Sequence, residues 1–173
     1  MSKDGKAAGA WIQHRECGTL VELNPSTRRA VGKMKATITQ RFHDKETGID
    51  YDVDCDCRFL FFCEREDDPR SDQAGWKTHY VKLIYDKDKV VPVDGKNVPV
   101  FHESELKGIP VGYQYLGAAQ ARLGYKIDGL LSTVQDKESW DRIYRCMELW
   151  LDGKDPELFW EDSAEKKLAE QKD

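Results

Sequence analysis

The chain lacks any apolar run approaching the roughly 20 residues that a bilayer crossing requires, and the charged start from Lys3 to Lys6 leads into no apolar leader segment. Neither membrane spanning nor secretion is expected. Positive charge is also in short supply: 27 Lys and Arg stand against 32 Asp and Glu, a formal charge of −5. A nucleic-acid surface concentrates basic residues to displace counterions from phosphates, so nucleic acid is not an expected partner. There is no Gly-x-x-x-x-Gly-Lys-Ser/Thr loop and no Gly-x-Ser-x-Gly elbow, which removes nucleotide hydrolysis and serine-nucleophile chemistry from the expectations. Cys55 and Cys57 have neither a second cysteine pair nor a His-x-x-x-His partner, so no metal site is expected. The cysteines number five, Cys17, Cys55, Cys57, Cys63 and Cys146, an odd count set in apolar-looking segments. That fits reduced thiols in the core of a cytoplasmic protein. No internal repeat is present.

What is there amounts to one domain. A chain of 173 residues buries about 70% of its unfolded surface as a single unit. With 39% hydrophobic and 34% charged residues, it reads as a soluble protein with a modest core and a charged surface. Residues 1–10 read as a disordered lead-in, 11–155 as the domain and 156–173 as a charged tail.

Three long strands are expected, with shorter strand pieces before them. Trp11 to Leu23 alternates weakly and stops at the turn signal Asn24-Pro25-Ser26. Arg29 to Phe42 alternates apolar with polar residues, and His43 to Gly48 is a hairpin connection. Ile49 to Arg65 divides most sharply by a period of two. Its odd positions, Tyr51, Val53, Cys55, Cys57, Phe59, Phe61 and Cys63, are apolar throughout and predict a face buried along its whole length. Its even positions run from Asp50, Asp52, Asp54 and Asp56 through Arg58 to Leu60 and Phe62, a face that begins in water and ends under cover. The third strand runs from Gly75 to about Val93, with His79, Val81, Leu83 and Tyr85 on one face and a bend or bulge expected at Asp86 to Lys89.

After Gly95 the signals become helical. A short turn follows Ser104, a helix spans Tyr113 to Leu123 with Gly124 ending it, and Trp140, Ile143, Tyr144, Met147, Trp150 and Leu151 mark an amphipathic helix stopped by Gly153. The class is α+β.

The runs Lys33 to Phe42, Asp54 to Phe59 with Phe61-Phe62, and Tyr85 to Val93, followed by Gly112 to Leu116, Gln120, Gly124 and the Trp140 to Gly153 helix, resemble fungal SnoaL-like domain proteins over roughly residues 11 to 153. That group belongs to the NTF2-like superfamily. The resemblance implies a cone, a curved antiparallel sheet around a pocket closed by helices. It also implies kinship with polyketide cyclases, scytalone dehydratase and ketosteroid isomerase. Such relatives bind small hydrophobic metabolites without metal or organic cofactor, and a homodimer is expected. Superfamily domains open with lid helices before the sheet. This chain enters its strands almost at once, so those helices are expected to be missing.

On this reading His79, Tyr85 and Asp56 are the candidate acid/base residues for cofactor-free cyclisation, dehydration or isomerisation by proton transfer. Thr37, Thr39, Cys55, Cys57, Phe59 and Arg58 are the candidate substrate contacts. The alternatives are a hydrogen-bonded structural role for His79 and a cross-strand ladder for Asp54, Asp56 and Arg58 that fixes register. If the hairpin is aligned with scytalone dehydratase, Thr39 takes the place of that enzyme's strand histidine, so its catalytic dyad does not carry over. A non-catalytic ligand-binding or dimerisation module is the competing function. The two differ in whether polar groups converge on one enclosed point.

Overall fold

A computed structural model describes residues 11–67 and 75–158. The expected lead-in at 1–10 and all of the expected tail beyond residue 158 lie outside the described residues. Alternating side chains and Asn-, Pro- or Gly-bearing turns produce a meander of four long strands. These are β1 (Trp11–Asn24), β2 (Arg29–His43), β3 (Asp50–Glu66) and β4 (Gly75–Pro92), antiparallel in the order β1-β2-β3-β4. Three helices follow: α1 (Glu103–Leu106), α2 (Gln114–Arg122), preceded by a 3₁₀ turn at Val111–Tyr113, and α3 (Lys137–Leu151). The class is α+β.

The expected strand pieces at the start are one strand of 14 residues. A bulge between Glu16 and Thr19, with Gly18 at φ +119°, absorbs the break in alternation, and pairing with β2 resumes beyond it. In the β1–β2 turn, Ser26 N–H donates to Asn24 Oδ1 at 3.0 Å, and the Thr27 hydroxyl donates to the Leu151 carbonyl at 2.8 Å. The turn is thereby fastened to the end of α3. In the β2–β3 turn the Asp44 carboxylate accepts from Glu46 N–H and from the Thr47 hydroxyl, and Gly48 takes φ +70°.

The bend expected near Asp86 is a β4 bulge, at which Asp56 pairs with Lys87 and Cys57 with Tyr85. A second bulge skips His79, because Phe62 pairs with Tyr80 and Cys63 with Thr78. At the first bulge, the segment 132–134 bridges alongside β4: Tyr85 N–H donates to the Ser132 carbonyl at 2.9 Å and Val134 N–H to the Tyr85 carbonyl at 3.0 Å. Gly112 passes so close that a Cβ there would lie 2.8 Å from the Tyr85 carbonyl oxygen.

Both faces of the sheet are covered, each over a different part. On the Cys57 face, Ile38, Phe42, Tyr51, Val53, Cys55 and Cys57 are buried against Tyr113, Leu116 and Ala119. On the Leu60 face, Val31, Leu60, Phe62 and Ile84 are buried against Ile143, Cys146, Met147, Trp150 and Leu158. Leu158 brings the packed unit three residues past the expected boundary at 155. The even positions of β3 do begin in water and end under cover. The odd positions depart from expectation: Tyr51 to Cys57 are buried, whereas Phe59, Phe61 and Cys63 are only half-buried. Farther along that face Val21, Leu23 and Val81 are exposed. No helix among the described residues is long and apolar enough to cross a membrane.

This division predicts unequal losses at two phenylalanines of one strand. Phe62 is fully buried against Trp150 and Tyr80, and Phe62→Ala should cost about 3–5 kcal/mol in urea unfolding. Phe59→Ala should cost less than half of that, and equal losses would contradict the assignment of the two faces.

Candidate functional site

The residues expected to form one site are distributed over both faces of the sheet. Cys55, Cys57, Phe59 and Tyr85 lie on the Cys57 face. Burial pushes the Cys55 thiol and the Tyr85 phenol far up and the Cys57 thiol up to about 12. Cys55 Sγ donates to the Gly112 carbonyl at 3.5 Å, Cys57 Sγ to the Ala36 carbonyl at 3.6 Å, and the Tyr85 ring packs 4.8 Å from that of Tyr113. Where a hollow was expected beside Val53, Cys55 and Cys57, side chains from the 3₁₀ turn and α2 fill the space. Phe59 stacks on Phe61 and meets the His14 ring edge-on.

Thr37, Thr39, Asp56 and Arg58 point to the opposite face. The Thr37 hydroxyl donates to Asp56 Oδ1 at 2.7 Å, and Lys87 Nζ stands 3.7 Å from Asp56 Oδ2. The Thr39 hydroxyl donates to Asp54, which also receives Arg15 at 3.2 Å. Arg58 reaches the bulged Asp86 through two nitrogens at 3.3 Å and lies 4.9 Å over the Trp140 ring. This is a cross-strand ladder whose partners are threonines, Arg15, Lys87 and Asp86. His79 does not share the Tyr85 face, because the bulge interrupts the alternation that would have placed it there. Its Nε2 stands 2.9 Å from Glu66 Oε1, and its ring packs 5.5 Å from Trp150 on the Leu60 face. Among the described residues, no cluster of three or more His, Cys, Asp or Glu side chains is placed to hold a metal.

The structure brings a different set together. A cavity of about 570 Å³ opens between the β2–β3 turn and the α1–α2 region. Its floor is apolar: Phe42 and Tyr51 stack at 5.5 Å beside Ala119 and Leu123. One rim is the Asp44 to Thr47 turn, and the other carries His102, Glu105 and Arg122. Arg122 anchors that second rim. It grips Glu105 through two nitrogens at 2.7 and 3.0 Å, donates to the Val100 carbonyl at 2.6 Å and covers the Phe101 ring at 4.2 Å. Hydrogen bonding from Arg122 holds the Glu105 carboxyl below its ordinary range, and burial raises the Tyr51 phenol. At the cavity edge His43 Nδ1 and Asp50 Oδ1 are 2.8 Å apart. The arrangement suits a flat, largely apolar molecule that stacks on the floor and hydrogen-bonds at its edges. Strand alternation singled out none of these residues as a site. The facing of His43 and Asp50 across the hairpin could have been read from the turn length, but the approach of residues 100–105 to that turn follows no sequence period.

The cavity wall depends on how α2 is hung. Asp88, on β4 beside Cys55, accepts from Leu116 N–H at 2.8 Å and so supplies from another element the carboxylate that a helix start attracts. Burial raises the Asp88 carboxyl despite the opposing hydrogen bonds from the helix backbone.

No protein-family model matches the chain. It is 38% identical over 166 residues to a PEP2-like protein of Fusarium vanettenii, an alignment spanning 91% of this chain and 67% of that protein. Identity is 37% over 166 residues to the pea pathogenicity protein 2 of the same species, with the same shares of the two chains. An uncharacterized protein of Emericella nidulans is 38% identical over 167 residues, covering 89% of this chain and 66% of its own length. The chain therefore spans about two thirds of these relatives.

The position of Asp88 carries a pH signature. Its carboxyl binds a proton at higher pH in the folded chain than in the unfolded one, so its contribution to stability is complete below the ordinary aspartate range and is lost as pH rises through the raised folded value. Asp88→Asn keeps an acceptor for Leu116 N–H without that loss. Its stability relative to the parent should therefore increase between about pH 4 and pH 7 in urea unfolding. A difference independent of pH would refute the assignment.

Proposed function

Taking as premise that the chain belongs to the PEP2-like family of fungal proteins, we propose that it is a SnoaL-like domain of NTF2-like ancestry that binds a small, largely apolar metabolite in the cavity between the β2–β3 turn and α2. The antiparallel meander with helices packed on its faces supports the fold reading. One observation carries the ligand reading: an aromatic floor of Phe42 and Tyr51 lies beneath polar rims in a space of about 570 Å³, a volume within the range of about 300–1,000 Å³ typical of small-molecule sites. The domain acts as a binding module, because Tyr85 lies on one sheet face while His79 and Asp56 lie on the other, out of reach of a common reacting atom. Under the same reading it works as a homodimer in the cytoplasm, where its five free cysteines stay reduced.

A second reading, cofactor-free cyclisation, dehydration or isomerisation, is favoured by the His43–Asp50 pair at the edge of that cavity. An imidazole oriented by a carboxylate is a set that moves protons.

The test is a titration with 1-naphthol followed by amide NMR shifts. Saturable shifts should concentrate at Phe42, Tyr51, Ala119 and Leu123. Leu123→Glu, at a partly exposed wall position, should weaken binding by about tenfold or more by placing a charge against the apolar floor. Shifts scattered outside these residues, or undiminished binding by the variant, would refute the assignment.

A further inference from the structure

On the Leu60 face a second cavity, of about 380 Å³, lies between the β1 bulge and α3 and shares no lining residue with the first. Its sheet wall carries three cations: Lys33 and Lys35, two positions apart on β2, and Arg58 directly opposite Lys35 on β3. Two of them have counter-ions. Lys33 pairs with Glu22 and lies 5.3 Å over the Tyr144 ring, while Arg58 is held by Asp86. Lys35 has no partner among the described residues, and Asp56, the next carboxylate along this face, is taken by Thr37 and Lys87. Like charges directly opposite on neighbouring strands repel, which is unfavourable unless an anion lies between them. Beside the cations the walls are apolar: Leu60, Leu20 and the Tyr144 ring.

We propose that this cavity binds a small organic monoanion with a flat apolar body, an aryl carboxylate in chemical class. Its carboxylate lies between Lys35 and Arg58 and its ring packs against Leu20 and Tyr144. The single uncompensated cation sets the charge at one, and the volume admits a ring system of modest size. A polyanion would bring more charge than the wall leaves open, and a neutral aromatic would leave the Lys35–Arg58 repulsion in place.

The test uses the intact chain with benzoate, the neutral isostere benzyl alcohol and inorganic phosphate as probes. Two readouts are available. One is amide NMR shifts at Gly18, Lys33 to Lys35 and Tyr144. The other is protection of Cys17, an exposed thiol on the rim, from a thiol reagent. Benzoate should give saturable shifts and slow Cys17 modification, while benzyl alcohol and phosphate at equal concentration should do neither. Lys35→Gln should weaken benzoate binding by about tenfold or more with thermal unfolding unchanged, because it removes one charge-assisted contact at an exposed position. Failure of benzoate to saturate, equal binding of benzyl alcohol or phosphate, or undiminished binding by the variant would each overturn the proposal. None of these outcomes bears on the first cavity, which 1-naphthol reports through different amides.

Discussion

Strand β3 must satisfy two cores with one alternation. Its odd side chains from Tyr51 to Cys57 are enclosed by α2, and its even side chains Leu60 and Phe62 are enclosed by α3 on the opposite face. A period of two permits this only if the covered parity changes along the strand, and the change falls near Arg58. There the β4 bulge at Asp86 sends a carboxylate to meet the guanidinium, and Trp140 of α3 covers it. Everything else is arranged around that exchange. The 132–134 segment caps the bulge, Gly112 fits beneath it, and Asp88 just beyond it holds the start of α2.

Much of this was legible in the sequence because alternation and helix stops are local signals. The apolar odd face of β3, the submerged end of its even face, the bulge near Asp86 and the glycine-terminated helices all follow from spacing alone. Two things do not. The second bulge changes parity without leaving a mark in composition: nothing in Thr78-His79-Tyr80 announces that His79 drops out of the ladder, so its ring turns to Trp150 instead of joining Tyr85. Coverage is equally silent, since Phe59 and Cys57 look alike to an alternation rule and only the place where α2 stops distinguishes them. The cavity at the β2–β3 turn escaped for a related reason, because Arg122 and His102 reach it through tertiary contact.

The polar residues of the sheet sort by the same logic. Aspartates on the uncovered part of the Leu60 face are occupied by threonines and basic residues, which makes them keepers of register. The Cys55 and Cys57 thiols and the Tyr85 phenol are buried into unreactivity, with Cys55 and Tyr85 raised by desolvation before any charge effect. Neither group is free to meet a ligand. The two cavities lie at the margins of the sheet, one at a hairpin end and one at a bulged edge, where helical cover is incomplete.

Because a single strand belongs to both packed layers, the two helical layers are not interchangeable parts. A recombinant that replaced α3 with a foreign helix would need new residues at Leu60 and Phe62, and these lie on the same strand whose Tyr51 to Cys57 stretch is enclosed by α2. Relatives in this lineage are thus expected to vary by lengthening loops and termini, while the helix-bearing half is inherited whole together with its central strand.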